Sequence, residues 1–161
     1  MGIDLKNWMQ NLLDGSDLLA LNLCGTHDCV TQHIRLPHFF CCQDLTVYEQ
    51  LLLGVRALDI RVRADGKCLT MVHGIFPAYN HSCHRANLMD MGDVLSQCYR
   101  FLDECPGEAV MFQFKNDNGK ENEQCFDNLF YTYIKGKEPY WYLEDRVPTL
   151  GAARGKLVLI R

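Results

Sequence analysis

Gly25-Thr26-His27-Asp28 closes one apolar run of the chain, Val72-His73-Gly74 closes another, and Asp59-Ile60-Arg61 ends a third between them. Two histidines, two acids and an arginine are thereby expected where three consecutive strands finish. In a parallel α/β sheet or barrel, active sites are built at that edge. Histidine titrates near neutral pH. A neutral ring can therefore deprotonate a hydroxyl while a protonated one donates to a leaving alkoxide, each role worth roughly 10²–10⁴ in rate. Arginine brings a fixed, fork-shaped charge that neutralises phosphate. The chemistry indicated is metal-free acid–base cleavage of a phosphoester.

Each of these residues also has a plainer reading. A lone strand-end histidine satisfies a local hydrogen bond, but a pair flanking Arg61 favours catalysis. Asp28 and Asp59 are natural orienters of the rings, with strand-end capping as the alternative. Asp59, Arg61 and Arg63 recur at two-residue spacing and share one strand face, so Asp59 and Arg61 become neighbours inside a barrel. An inward arginine needs a partner, which is either a substrate phosphate or Asp59 in a structural pair.

The elements that must position these residues alternate between helix and strand. The pattern predicts an amphipathic helix at about Leu5–Leu13 and a buried strand at Leu18–Cys24. Residues 29–43 read as a loop, and Thr46-Val47-Tyr48-Glu49 as a capping box opening a helix that Gly54 stops. Strands follow at Val55–Val62 and Cys68–His73, joined by a short turn at Asp65-Gly66, and then a loop over 74–89. Asp90 caps a helix with Met91, Val94, Leu95, Cys98, Phe101 and Leu102 inward at a 3.6 period, ended by Pro106-Gly107. Ala109–Phe114 is a strand. A helix over 121–134 turns Cys125, Phe126, Leu129, Phe130, Tyr133 and Ile134 inward, and Lys156–Ile160 is a fifth strand. Tyr140-Trp141-Tyr142 reads as core, with an interfacial role as the alternative.

This order predicts a mostly parallel α/β, TIM-barrel-like fold that is incomplete, with about five strands. The whole chain, 1–161, forms one domain. An eight-stranded barrel typically needs about 250 residues. An apolar strand left at the edge is expected of a fragment, a half-domain, or a protein completed by another chain, including a second copy of itself.

With 48% hydrophobic and 22% charged residues the chain is globular, and 20 acids against 16 bases give −4. No basic block stands out, so nucleic acid is not expected as a partner. No stretch approaches the roughly 18 apolar residues needed to span a bilayer. Met1-Gly2-Ile3-Asp4-Leu5-Lys6 lacks a signal-peptide core, and Lys6 stands where a myristoylation signal takes Ser or Thr. The nine cysteines then read as reduced thiols of a cytoplasmic protein, or of a secreted one whose signal has been removed.

Gly25-Thr26-His27-Asp28, the run from Gln50 to Arg61 (QLLLGVRALDIR) and Val72-His73-Gly74 together resemble the X region of phosphatidylinositol-specific phospholipase C. The likeness continues through Phe112-Gln113-Phe114-Lys115 and the run from Leu150 to Leu159. It implies a distorted or incomplete TIM barrel that cleaves phosphatidylinositol at a membrane surface to diacylglycerol and a cyclic inositol phosphate. On that resemblance His27 is the general base on the inositol 2-hydroxyl, and His73, supported by Asp59, is the general acid. Arg61 binds phosphate with Asp28 beside it, and Lys115 meets the inositol head group.

The resemblance also selects a branch. In the calcium-dependent branch an Asn follows the first histidine and a Glu-x-Asp pair adds ligands. Here those places hold Asp28, and Asp59 with Arg61. An arginine among the ligands disfavours Ca²⁺, which wants about six to eight oxygens, so the bacterial, metal-independent branch is implied, without metal or cofactor. In that branch the aspartate orienting the base and the Asp and Tyr holding inositol come from the second half of the barrel. Arg161 is one candidate for a further site arginine.

Three further readings stay open. The chain is alternatively a non-catalytic half-barrel that binds inositol lipids or a protein partner. Leu36-Pro37-His38-Phe39-Phe40 either dips into a bilayer surface or packs under the barrel rim. His81-Ser82-Cys83-His84 with Cys41-Cys42 hints at a metal, without regular zinc spacing.

Overall fold

The computed structural model describes residues 2, 4–65, 67–82, 87–117 and 123–160. Its strands are β1 (Gly25–Thr26), β2 (Ala57–Ala64), β3 (Leu69–His73), β4 (Phe76–Pro77), β5 (Ala109–Asn116), β6 (Trp141–Tyr142) and β7 (Lys156–Ile160). They form one seven-stranded sheet in the order β4-β3-β2-β5-β7-β6, with β1 also on β2. β1, β2, β5, β7 and β6 all pair in parallel. The result is the expected incomplete α/β barrel, an open arc of parallel strands.

The helices are α1 (Pro37–Phe40), α2 (Val47–Leu52), α3 (Met91–Glu104), α4 (Glu123–Ile134) and α5 (Leu150–Ala153). Reciprocal capping boxes start α2, from Thr46 and Glu49, and α3, from Asp90 and Asp93. All six apolar positions expected on α3 are buried. Fully burying side chains of that size is worth about 1.5–3 kcal/mol each, so this face holds α3 on the sheet. Gly54 leaves α2 at φ +96°, where a side chain would be strained.

Along β2 burial alternates strictly. Leu58, Ile60, Val62 and Ala64 face the helices, and Ala57, Asp59, Arg61 and Arg63 lie half-buried on the inner face of the arc. Phe112 and Phe114 on β5 pack against Trp141 and Phe130 on the helical side. Trp141 and Tyr142 are buried, as core residues should be, and they add the short strand β6.

Several elements differ from their sequence expectation. Leu18–Cys24 is not a strand. Asp17 caps a 3₁₀ turn at Leu18–Ala20 by accepting from Leu19 N at 2.9 Å, and the strand proper is only β1. The N-terminal helix is a 3₁₀ helix, Leu5–Asn11, broken at Asn7. Residues 37–40 form α1 rather than loop. Cys125 is exposed rather than inward. Cys83, His84 and Arg161 lie outside the described residues.

The largest difference concerns β3, which runs antiparallel to β2. Only four residues link them, too few for a parallel crossover. Asp65 Oδ1 ties the link by accepting from Lys67 N and Cys68 N, each at 2.9 Å. The pairing of Val62 with Met71, continued along the hairpin, brings His73 level with Ile60. His73 therefore returns to the side of Asp59 and Arg61 instead of ending a parallel strand.

Candidate active site

β1 and β2 deliver the first half of the cluster. Gly25 permits their close approach, since a Cβ there would lie 3.2 Å from Ala57 Cβ. The chain then turns through Asp28 at φ +44°, a left-handed conformation that aspartate tolerates better than most residues. Cys29 N donates to Asp59 O at 3.0 Å and fixes the turn against β2.

This turn swings the Asp28 carboxyl under the histidines, where it is 1% exposed. Its Oδ2 lies 3.2 Å from His27 Nε2 and 3.4 Å from His73 Nε2. Arg61 Nε is 3.6 Å from its Oδ1. The two imidazole centroids stand 6.4 Å apart, so one buried carboxylate sits between two rings.

The opposite ring nitrogens are fixed as donors. His27 Nδ1 is 2.7 Å from Asp59 Oδ2, and His73 Nδ1 is 3.0 Å from the Phe40 carbonyl. Both partners only accept, which assigns the Nδ1 proton and leaves each Nε2 turned toward Asp28. Asp59 therefore supports His27, and the expected support of His73 by Asp59 is replaced by the Phe40 carbonyl at the end of α1. The cause is the position of β1, whose His27 ring lies over Asp59.

Arg61 Nη2 lies 3.3 Å from Asp59 Oδ2 and Nη1 3.7 Å from Asp117 Oδ2. Lys115 aligns with Arg61 across the β2–β5 pair, and its Nζ lies 3.5 Å from Asp117 Oδ1. Asp117 was not singled out from sequence, although its place just past β5 beside a strand-end arginine was a usable signal. Cys42 was missed as a neighbour of this cluster too, with Sγ 3.8 Å from His73 Nδ1.

The electrostatics separate the two acids. Burial pushes the Asp28 carboxyl above its ordinary value, against the pull of His73, His27 and Arg61. Burial also raises Asp59, but hydrogen bonds from Arg61 and His27 outweigh it and hold this carboxylate below its usual range. The Asp59 hydrogen bond in turn raises Arg61. Burial and the charge of Asp28 push the Cys42 thiol up, which keeps it protonated near neutral pH. A cleft of ≈ 420 Å³ opens over His27, Asp59, Arg61 and Gln113 on the inner face.

Fold and site together define an α/β barrel-type protein with an acid–base and arginine cluster at the rim of an open sheet. No protein-family model matches the chain. Over 163 residues it is 28% identical to the 1-phosphatidylinositol phosphodiesterase of Staphylococcus aureus (strain Newman), covering 96% of this chain and 50% of that one. Against the enzyme of the same name from Listeria monocytogenes, identity is 27% over 169 residues, with 98% and 49% covered.

Solved structures agree. A phosphatidylinositol-specific phospholipase C of S. aureus superposes with TM-score 0.81 at 28% identity, covering 97% of this chain and 52% of that one. The L. monocytogenes enzyme gives 0.79 at 25%, with 98% and 57% covered. A calcium-dependent phospholipase C from Pseudomonas shares the fold alone, at TM-score 0.62 and 13% identity, with 99% and 61% covered. The resemblance to bacterial phosphatidylinositol-specific phospholipases C thus extends over nearly the whole chain. The chain spans about half the length of the curated relatives it matches.

Proposed function

We propose that the chain carries the acid–base centre of a phosphatidylinositol-cleaving phosphodiesterase that works by intramolecular cyclisation. The observation that carries this reading is the pair of imidazoles 6.4 Å apart with Arg61 alongside. With Asp28 filling the space between the rings, a phosphodiester held by Arg61 in the cleft over the cluster brings a hydroxyl to His27 and a leaving oxygen to His73.

In the proposed reaction His27 Nε2 takes the proton of the inositol 2-hydroxyl as its oxygen attacks phosphorus. The bond from phosphorus to the glycerol oxygen breaks, and protonated His73 Nε2 gives its proton to that oxygen. Diacylglycerol and inositol 1,2-cyclic phosphate leave. Asp59 holds the His27 tautomer and stabilises the imidazolium formed there. Arg61 neutralises charge growing on the phosphate, Asp28, 3.4 Å from His73 Nε2, orients that ring, and Lys115 meets the head group. Arg61 takes over the charge role of a divalent ion, which supports metal-free chemistry.

Such an enzyme works at a lipid surface. Leu36 and Phe39 around α1, and Ile75 after β3, are 56%, 80% and 68% exposed. Phe40 packs on Phe76 in a tilted pair with centroids 4.4 Å apart and contacts His73 edge-on. An apolar rim beside the acid suits insertion among lipid head groups. Among the described residues no helix is long and apolar enough to cross a membrane.

Leaving-group chemistry tests the two roles. His73→Ala should slow cleavage of phosphatidylinositol by about 10²–10⁴ while sparing an inositol phosphate ester of an acidic phenol, which leaves without a proton. His27→Ala should slow both. Equal slowing of both substrates by His73→Ala contradicts the assignment.

A second reading, a non-catalytic half-barrel that binds inositol lipids or a protein, is favoured by the open inner face of β2 and β5. Solution mass with parallel turnover separates the two. A monomer that binds lipid without turnover supports the second. A homo-oligomer that completes the barrel and turns over supports the first.

A further inference from the structure

Cys42 is held against the acid–base cluster by a chain of hydrogen bonds. Its N–H donates to Thr31 Oγ1 at 2.8 Å, and that buried hydroxyl donates to Asp28 O at 2.9 Å. Next to it, Gln43 Nε2 donates to His27 O at 3.0 Å. The backbone at residue 42 is thereby strapped to the loop that carries His27 and Asp28, with the thiol 3.8 Å from His73 Nδ1. One donor atom each from His27, Asp28 and Cys42 lies within 4.8 Å of the other two. Independently, neither buried Asp28 carboxylate oxygen makes a hydrogen bond, and its contacts are ion-pair distances of 3.2, 3.4 and 3.6 Å to His27, His73 and Arg61. A buried carboxylate held by charge alone, with no donor hydrogen-bonded to it, still has lone pairs free for a ligand, and they are aimed into this cluster.

We propose that His27 Nε2, an Asp28 carboxylate oxygen and Cys42 Sγ form a three-ligand site for a divalent ion of the Zn²⁺ class. The donor set is mixed nitrogen, oxygen and sulfur, which selects borderline-soft transition ions over Ca²⁺ or Mg²⁺. Arg61, 3.6 Å from Asp28, opposes any divalent ion by its charge, so the selectivity rests on the nitrogen and sulfur donors. Asp59 on His27 Nδ1 completes the carboxylate–histidine–metal arrangement that orients such ligands. Ligand atoms of a tetrahedral zinc site lie about 3.2–3.7 Å apart. His27 Nε2 and Asp28 Oδ2 already stand at 3.2 Å, and the thiol, within 4.8 Å of both residues, has at most about 1 Å to close. Binding releases one proton, from the Cys42 thiol, and leaves a coordination position for water.

The ion would occupy the lone pair that the proposed reaction needs on His27. It is therefore an inhibitor of the site, and its binding stands whether or not the chain turns over.

The test uses the whole chain, freed of metal by chelation and reduced, and titrated with Co²⁺ alone as a spectroscopic probe. One equivalent should give a thiolate-to-cobalt charge-transfer band that stoichiometric Zn²⁺ removes and a large excess of Ca²⁺ or Mg²⁺ does not. Cys42→Ser should abolish the band, whereas Cys68→Ser retains it, with circular dichroism confirming both folds. Asp59→Asn should weaken Co²⁺ binding about 10–100-fold although it is not itself a ligand. No band, a band that survives Cys42→Ser, or equal competition by Ca²⁺ overturns the proposal. Zn²⁺ inhibition of phosphatidylinositol cleavage, scored against each variant's own zinc-free rate, is read separately. A chain that binds Co²⁺ without turnover refutes the catalytic reading and leaves the metal site standing.

Discussion

Arg56 and Glu108 are both 0% exposed and hold the base of the sheet beneath the site. Glu108 Oε2 accepts from Arg56 Nη2 at 2.7 Å and Nε at 2.9 Å. The same carboxylate accepts from Met9 N at 3.0 Å and Gln10 N at 3.1 Å. Arg56 also donates to the carbonyls of Leu51, Val55 and Lys6, and its guanidinium lies 4.6 Å from the Phe101 ring. Glu108→Gln keeps the shape but leaves a buried guanidinium without its counter-charge. It also turns an amide N–H₂ toward other donors. Breaking a buried pair from one side costs about 3–5 kcal/mol. For a chain of this size each kcal/mol lowers Tm by about 2–4 °C, so the expected drop is about 6–20 °C. Urea unfolding followed by tryptophan fluorescence and circular dichroism measures the loss, and Glu108→Asp, which keeps the charge, should lose less. A cost below about 1 kcal/mol for Glu108→Gln would refute the claim that charge pairing, rather than packing, secures this corner.

Other expectations concern the site, its rim and the acid limb. Asp59→Asn removes a charge-assisted bond worth about 1.5–3 kcal/mol and should cut kcat about 10- to 150-fold. Its effect should largely vanish in a His27→Ala background, and additive losses would break the proposed link. Phe39→Ser removes about 1.5–3 kcal/mol of apolar burial at a membrane and should weaken vesicle binding in a co-sedimentation assay. Turnover of a water-soluble substrate should change far less, and unaltered vesicle binding would exclude α1 as the contact. Hydrogen bonds from Tyr48, Lys6 and Arg100 hold Glu104 down to about 2 from its ordinary 4.5. Its contribution to stability is therefore full above that ordinary value and is lost as pH falls toward 2. Glu104→Gln should flatten the decline of stability over this range, and an unchanged slope in pH-dependent urea unfolding would contradict the network.

The sequence reading worked best where side-chain period and caps act locally. The inward face of α3 follows from six apolar residues at helical spacing, and β7 from an apolar run after Gly155. The apolar residues at 18–24 misled because Asp17 caps a turn there, and a local carboxylate outcompetes a strand. For β3 the signal is in the chain length, since the four residues between Ala64 and Leu69 demand an antiparallel hairpin. The site's membership was legible from residue types at strand ends. Its internal pairing was not, because which carboxylate meets His27 depends on where β1 lies against β2, and Cys42 arrives only through the fold of α1.

Phosphorus NMR of phosphatidylinositol vesicles, incubated with the chain and EDTA, tests the central claim most directly. The account predicts that a cyclic inositol phosphate resonance grows in, EDTA leaves its rate undiminished, and His27→Ala suppresses it. Acyclic phosphate as the first product, loss of turnover on chelation, or full activity in His27→Ala would contradict it.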